Sequence, residues 1–589
     1  MPTAIVGAVA TEGTQSGGPV AGGAVPTTYN IADVWEAVTD RVAEREALVC
    51  GDRRCTYGEL EERANRLANH LAAEGVGAGD FVGCYLTNRI EYIETLLACF
   101  KIRAVPVNIN YRYVADELAH LFSDAGLVAV VCEPSFAANV AEVAAQVPSL
   151  RHTLVVSAGG GAEDAPSGGA GDATSGGAGD ATAADDAAAG SGAPGARSYE
   201  SALAAAPPER PEVPGRGDDD LYVIYTGGTT GLPKGVVWRH GDAFFGCLTG
   251  GDPMRMNGPV GSPAEMVERI IDFDFTFYAL APLMHAAAQW VTLMWLFCGA
   301  KVILHAGPFD PLEVWRTIER EKVSTTTVVG DAMARPLADT WDAEGPFAVE
   351  SLFAFSNGGA PLSETTKSRL MAMMPDVVFT DGFGSSETGI QGSSRLQPGE
   401  APAGTAVFDS VAEGTKVLDD EWNEVAPGSG AIGRIAHSGY IPLRYHNAPE
   451  KTAETFREID GRRWVVSGDM ATVAEDGSIH LLGRGSVSIN TGGEKVYPEE
   501  VEGVLKGHPG VYDVVVVGVP HERWGEQVVA VVAATPGVEP PTAEDLVDHC
   551  RGRLAGYKAP REVRVVDAIV RSPAGKADYR WAKAVATGS

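Results

Sequence analysis

A series of short apolar runs without alternation narrows the fold more than any other feature. Residues 81–86 (FVGCYL), 104–109 (AVPVNI) and 127–132 (LVAVVC) carry almost nothing polar. Strands of that kind are buried on both faces, as in parallel sheets covered by helices. The stretches between them read as helices. Residues 91–100 form one, and Leu60, Ala64, Leu67 and Leu71 fall on a single face of another. The alternation predicts an α/β fold, a large N-terminal domain of parallel-rich sheets covered by helices. Near Leu481 the pattern changes. A helix from Pro498, strands at 511–519 and 527–534, a helix over 543–554 and a strand at 562–566 predict a small α+β domain. The expected boundary lies at about residue 483, dividing 27–482 from 483–589.

Two segments lack the means to pack. Residues 1–26 are rich in Gly, Ala, Thr and Pro, with no helical or strand period. Residues 159–197 contain no Ile, Leu, Val, Met or aromatic side chain, and within them 167–174 (SGGAGDAT) is repeated at once as 175–182. Neither buries anything against the entropy cost of ordering, so both are expected to be disordered.

Charge and cysteine usage exclude several classes of function. A formal net charge of −32 repels nucleic-acid phosphates and anionic lipid. The eight cysteines are scattered, with no C-x-x-C pair and no Cys/His cluster, which argues against a disulfide framework or a zinc site and for a reducing cytosol. Residues 1–10 lack the basic start of a signal peptide. The apolar stretch 279–300 contains Pro282, His285 and Gln289 and is read as core, not as a membrane span. A cytoplasmic protein without an integral membrane segment is expected.

The densest chemical signal is residues 225–235 (YTGGTTGLPKG), directly after the apolar strand 221–225. Its glycines, its hydroxyls (Thr226, Thr229, Thr230) and Lys234 offer N–H groups, O–H donors and a cation to phosphate oxygens. A Walker A loop needs Lys followed by Ser or Thr, whereas Lys234 lies between Pro233 and Gly235. The spacing excludes a P-loop nucleotidase.

This loop resembles the phosphate signature Y-T-S-G-T-T-G-x-P-K-G of the acyl-adenylate-forming, or AMP-binding, superfamily of acyl-CoA synthetases, adenylation domains and beetle luciferases. Gly227 stands where that family has Ser. The TGGTTG form followed by VVWRH is similar to actinobacterial acyl-CoA synthetases of fatty acids and sterol side-chain acids. Further motifs follow in the family's order. Residues 56–60 (TYGEL) resemble its early element. In 357–362 (NGGAPL), Gly358, Gly359 and Ala360 resemble the loop against the adenine. In 381–388 (DGFGSSET), Asp381 and Gly382 open the element, Phe383 offers a face to the purine, Ser386 a hydroxyl to phosphate, and Glu387 a carboxylate to magnesium. Asp469, in the SGD at 467–469, resembles the ribose acceptor, which suits an acceptor-only carboxylate. Gly483 and Arg484 open the hinge. Gly492 and Gly493 belong to the segment for the thiol channel, and Lys576, in 572–576 (SPAGK), resembles the catalytic lysine. The family's hinge residue is usually Asp or Lys, and here it is Ser486. His285 resembles the residue at the mouth of the acyl pocket; a satisfied histidine at a helix end reads almost as well.

The resemblance implies a ligase that uses ATP, Mg2+ and coenzyme A, with a mobile C-terminal lid. Acyl-AMP forms first, and the thioester follows after the lid rotates. The apolar region 273–297, with no evident cation for a second charge, points to a hydrophobic carboxylic acid; Asp272 or Asp274 as holder of an amino acid's ammonium stays open. Two alternatives are kept, a loader of a separate carrier protein and a non-catalytic nucleotide-binding scaffold. A fused carrier would need a helical module after residue 583, and a scaffold would have lost Lys576 or Glu387 first. The oligomeric state is open, with a homodimer among the options.

Overall fold

The computed structural model describes residues 26–157, 190–227, 232–402, 406–491, 494–571 and 575–588. Residues 1–25 and 158–189, most of the two stretches expected not to pack, lie outside the described residues.

The TYGEL run has a structural task of its own, starting the helix Tyr57–Ala73 with a capping box. Thr56 accepts from the Glu59 N–H, and the Glu59 carboxylate accepts from the Thr56 N–H at 2.7 Å. Leu60, Ala64, Leu67 and Leu71 are buried along one face. They pack on the helix Ile90–Lys101, every residue of which is buried. This pair of helices touches strands of both large sheets. Full burial of Lys101 is possible because its ammonium donates to Glu36 and Glu61, each at 2.8 Å.

The larger sheet has nine strands. Glu46–Cys50, Lys301–Leu304, Thr276–Ala279, Thr325–Val328, Ala354–Gly358 and Val378–Ser385 run parallel, and Gly389–Leu396 returns antiparallel. The second sheet has eight strands. Phe81–Tyr85 lies between Val105–Asn108 and Ala129–Cys132, all parallel, as their continuous apolar character requires. Leu221–Thr226 lies beside Val105–Asn108 and turns back into Lys234–Arg239.

A third sheet was not legible in the sequence. Six strands between Val407 and Arg484 form it, and its pairings are antiparallel. Its longest strand, Arg462–Val473, mixes buried and exposed positions, so it lacks the apolar density of the parallel strands.

From Ile489 onward the strands belong to a separate five-stranded sheet. Val511–His521 pairs with Gly525–Ala534, and Glu562–Val566 adds in parallel. The helix Pro498–Leu505 covers one face and the terminal helix Tyr579–Thr587 the other. The helix expected over 543–554 ends at Cys550.

The stretch expected to be unpackable ends before Arg197. Ala193 is buried, and Ala196–Ser198 forms the outermost parallel strand beside His152–Val155. Backbone pairing needs no large side chain, which is why composition concealed it. The apolar stretch 279–300 holds the helix Ala286–Phe297, and among the described residues no helix is long and apolar enough to cross a membrane. All eight cysteines are unbridged and buried.

Replacing Lys101 by Met removes the cation shared by two buried carboxylates. The expected cost is about 3–5 kcal/mol, read as a lower midpoint of chemical denaturation.

Candidate active site

The parallel strands of the nine-stranded sheet end on one side, where open α/β sheets bind ligands. There the strand ends, the helix Ala286–Phe297 and the small domain enclose a cavity of about 1110 Å³. Thr226, Gly358, Gly359, Asp381, Gly382, Phe383, Ser386, His285, Ser486 and Lys576 line it. Five motifs and His285, spread over some 350 residues, thus converge on one space.

Asn357 organises the floor. Its side chain accepts from the Gly330 N–H at 2.8 Å and donates to the Ala360 carbonyl at 3.2 Å and to Asp381 at 2.9 Å. The Lys367 ammonium also pairs with Asp381, so that carboxylate ties strand ends together. Gly358 and Gly382 are register partners and leave a flat backbone surface. Phe383 packs on Phe408 with ring centres 4.4 Å apart, and Gly392 is required beneath it, since a Cβ there would lie 2.4 Å from the ring. Such a floor suits a planar base.

The loop at 225–235 joins two paired strands. Thr226 and Lys234 are partners at its base, and a Cβ on Gly235 would stand 2.8 Å from the Tyr225 ring. Thr226 faces the cavity; Lys234 does not line it. Gly228, Thr229 and Thr230 lie outside the described residues, as do Gly492 and Gly493.

Glu387, Asp469 and Arg484 do not line the cavity and group around Lys576. Asp469 and Arg484 are cross-strand partners, 3.5 Å apart. Burial opposes the charge on Arg484, but Asp469, Glu387 and Glu499 outweigh it and raise its pKa. Burial and then Arg484 lower the pKa of Lys576, while Glu387, Asp469 and Glu499 pull the other way. Lys576 lines the cavity and keeps accessible surface. His285 is driven down to about 4 by burial, then by Lys576 and Arg112, so it is neutral. Its Nε2 has no hydrogen-bond partner among the described residues.

Lys576 is held there by docking of the small domain. Lys506 pairs with Asp331 at 2.9 Å, both buried. Arg335 donates to the Val511 and Tyr512 carbonyls, and the Tyr512 hydroxyl donates to Asp339 at 3.0 Å. Arg571 grips Asp513 with two bonds of 2.7 Å and donates to the Gly575 carbonyl at 3.0 Å. Gly575 has φ +67, and a Cβ on it would meet the Val329 carbonyl at 3.0 Å, so only glycine lets Lys576 follow so closely.

Among the described residues no three His, Cys, Asp or Glu side chains gather as a metal cage. Glu387 accepts from the Tyr445 hydroxyl at 2.9 Å on Oε1, and no described residue reaches its other oxygen. One carboxylate with an open oxygen fits magnesium, which is commonly held by one or two carboxylates together with phosphates and water.

Residues 35–444 match the AMP-binding enzyme family and residues 500–576 the AMP-binding enzyme C-terminal domain. The chain belongs to the AMP-binding enzyme family. It is 44% identical over 94% of its length to a 3-oxocholest-4-en-26-oate–CoA ligase of Rhodococcus rhodochrous, covering 95% of that protein. With the medium-chain acyl-CoA ligase Mig of Mycobacterium avium it shares 40% over 95% of this chain and 98% of that one. The crystal structure of ATP-bound MatB from Rhodopseudomonas palustris superposes with a TM-score of 0.74 at 26% identity, covering 94% of this chain and 98% of that one.

Sequence reasoning missed several members of this candidate site. Lys367 and Tyr445, which brace Asp381 and Glu387, sit in no motif. Glu499 follows Pro498 at the start of a helix with nothing to mark it. Two cations that the sequence did not make evident, Arg255 and Arg395, also line the cavity. Asp272 and Asp274 are exposed and off the cavity wall.

Glu499 gives the docked state a pH dependence. Burial, then Glu502 and Asp469, raise it from 4.5 to about 7 against the pull of Arg484 and Lys576. The docked state therefore binds the extra proton between those values, and docking weakens as pH rises from about 4.5 to 7. Hydrogen exchange at the interface of Lys506 with Asp331 is expected to quicken across that window. Glu499→Gln flattens the profile, and an unchanged profile in that variant refutes the assignment.

Proposed function

We propose that this enzyme is an ATP-dependent, AMP-forming acyl-CoA ligase of hydrophobic carboxylic acids, fatty or sterol side-chain acids in class. The observation that carries the reading is the lysine ammonium inside a cavity floored by backbone and walled by apolar side chains. The named activities of relatives at 44% and 40% identity support the same class.

A carboxylate is a poor acyl donor because oxide would have to leave. In the proposed first half-reaction its oxygen bonds to the α-phosphorus of ATP, the bond to the bridging oxygen of the β-phosphate breaks, and pyrophosphate departs. Both reactants are anionic, so the barrier is largely electrostatic. Lys576 stands where its charge can offset that repulsion, and the approach of two anions counteracts the burial that lowers its pKa. Neutral His285 adds no charge and offers Nε2 to the incoming acid. Gly358, Gly359, Ala360, Gly382 and Phe383 receive the base, Asp469 the ribose hydroxyls, and Thr226, Thr229, Thr230, Lys234 and Ser386 the phosphates. Magnesium, held by Glu387 with phosphate oxygens and water, would supply further positive charge at the triphosphate.

In the second half-reaction the sulfur of coenzyme A bonds to the acyl carbon and AMP leaves. The proposed lid, from about residue 483 onward, must first withdraw Lys576, breaking the Lys506–Asp331 and Arg335 contacts. Ser486, in the turn Gly485–Val487 on the cavity wall, is the proposed pivot. The acidic surface and eight buried free cysteines support a cytoplasmic location.

Lys576→Ala is expected to lower acyl-AMP formation by about a hundredfold or more, while synthetic acyl-AMP and coenzyme A still give thioester near the wild-type rate. Equal loss of both half-reactions in a folded variant refutes the two-state assignment. Turnover with free coenzyme A is expected to exceed acylation of any phosphopantetheinyl carrier protein. The reverse order would identify a carrier loader.

A further inference from the structure

The inner face of the nine-stranded sheet is polar below the strand ends that line the cavity. Strand register places Thr327, Ser356, Thr380 and Arg395 in one continuous row across four strands. The neighbouring row, at the ends of the strands, is Gly358, Gly382 and Ser393, the floor assigned to the base. The hydroxyl row therefore lies two residues down the sheet, about 6.6 Å from that floor. All of these residues line the cavity, together with apolar Met294 and Trp295.

Arg255 borders the same space. No hydrogen bond or ion pair joins its guanidinium to any described residue. The nearby Asp252 carboxylate already accepts from the Asn257 N–H at 2.8 Å, and Arg395 is anchored on the Met254 carbonyl at 2.7 Å. Burial, with Arg395 adding to it, lowers the pKa of Arg255, and Asp252 opposes this only in part. Arg255 is partly exposed on the cavity wall, so its guanidinium can receive an acceptor carried by a ligand.

We infer that Arg255 and the hydroxyl row form a second polar subsite, which takes an oxygen acceptor carried by the acid away from its reacting carboxyl. The inference rests on the ligase reading for which end of the acid reacts. It narrows the substrate class from any hydrophobic acid to amphipathic acids whose far part carries a ketone, hydroxyl or carboxylate. Hydrocarbon packs on Met294 and Trp295 while the oxygen meets Arg255. Sites built to donate to a substrate oxygen discriminate strongly against analogues that lack it.

The test compares palmitate, its omega-hydroxy and omega-carboxy analogues, and a 3-oxo sterol acid with its deoxy counterpart. Pyrophosphate release by the full chain is expected to show a KM lower by about tenfold for the oxygenated member of at least one pair. Arg255→Met should abolish that difference and leave the plain acid within about twofold, and Arg255→Lys should restore part of it. A difference confined to the omega-carboxy acid identifies the acceptor as a carboxylate, and one shared by hydroxy or keto acids identifies a neutral oxygen. No preference in the wild type, or equal losses for both members of a pair in Arg255→Met, overturns the subsite. Equilibrium binding of the same acids without nucleotide separates the two readings. If no acid releases pyrophosphate, the ligase reading fails, and the binding preference and its loss in Arg255→Met still decide the subsite.

Discussion

Lys576 reaches the cavity because backbone contacts and the charges around it fix where its segment runs. Lys576 is placed by backbone, through Gly575 against Val329, and by Arg571, which ties its loop to Asp513. Arg484 takes the Asp469 carboxylate at 3.5 Å, and Tyr445 occupies one oxygen of Glu387. The neighbouring carboxylates Asp469 and Glu387 are thus partly engaged by other groups. The docking contacts that hold this arrangement are buried ion pairs and charge-assisted hydrogen bonds. Their attraction is largely offset by desolvation, so they fix an orientation without making it permanent. That balance suits a domain that, in the proposed mechanism, has to leave.

The local field also works against the global one. A chain with net charge −32 repels a nucleotide at long range. Within about a Debye length, roughly 8 Å in physiological salt, fixed cations and backbone N–H groups dominate instead. Lys576 and Arg484 are drawn from distant parts of the chain, and only the closed fold brings them near one another.

Legibility followed the kind of constraint each residue obeys. Close backbone approach leaves glycines at fixed spacing, so Gly235, Gly358, Gly382 and Gly575 could be read as motif members before their contacts were known. Continuous burial leaves apolar runs, so the parallel strands at 81–86, 104–109 and 127–132 were legible to within a residue or two, whereas those of the nine-stranded sheet were not read individually. The antiparallel sheet between Val407 and Arg484 leaves only a mixed pattern and went unread. Tyr445, Lys367, Glu499 and Arg255 owe their roles to neighbours more than a dozen residues away in sequence, or to one face of an element, and no local spacing records that. Ala196–Ser198 shows the converse, a strand held by backbone pairing in a stretch that composition alone assigns to coil.

The eight cysteines have a practical consequence. Each is buried, and burial raises every one of their thiol pKa values. Thiolate is the reactive form, so maleimide reagents have little to attack on the native surface. A pair of cysteines introduced on exposed positions, one on each side of Ser486, would therefore be the preferred attachment points for a donor and an acceptor dye. The wild-type background already serves as a near-silent scaffold for following single molecules as they open and close.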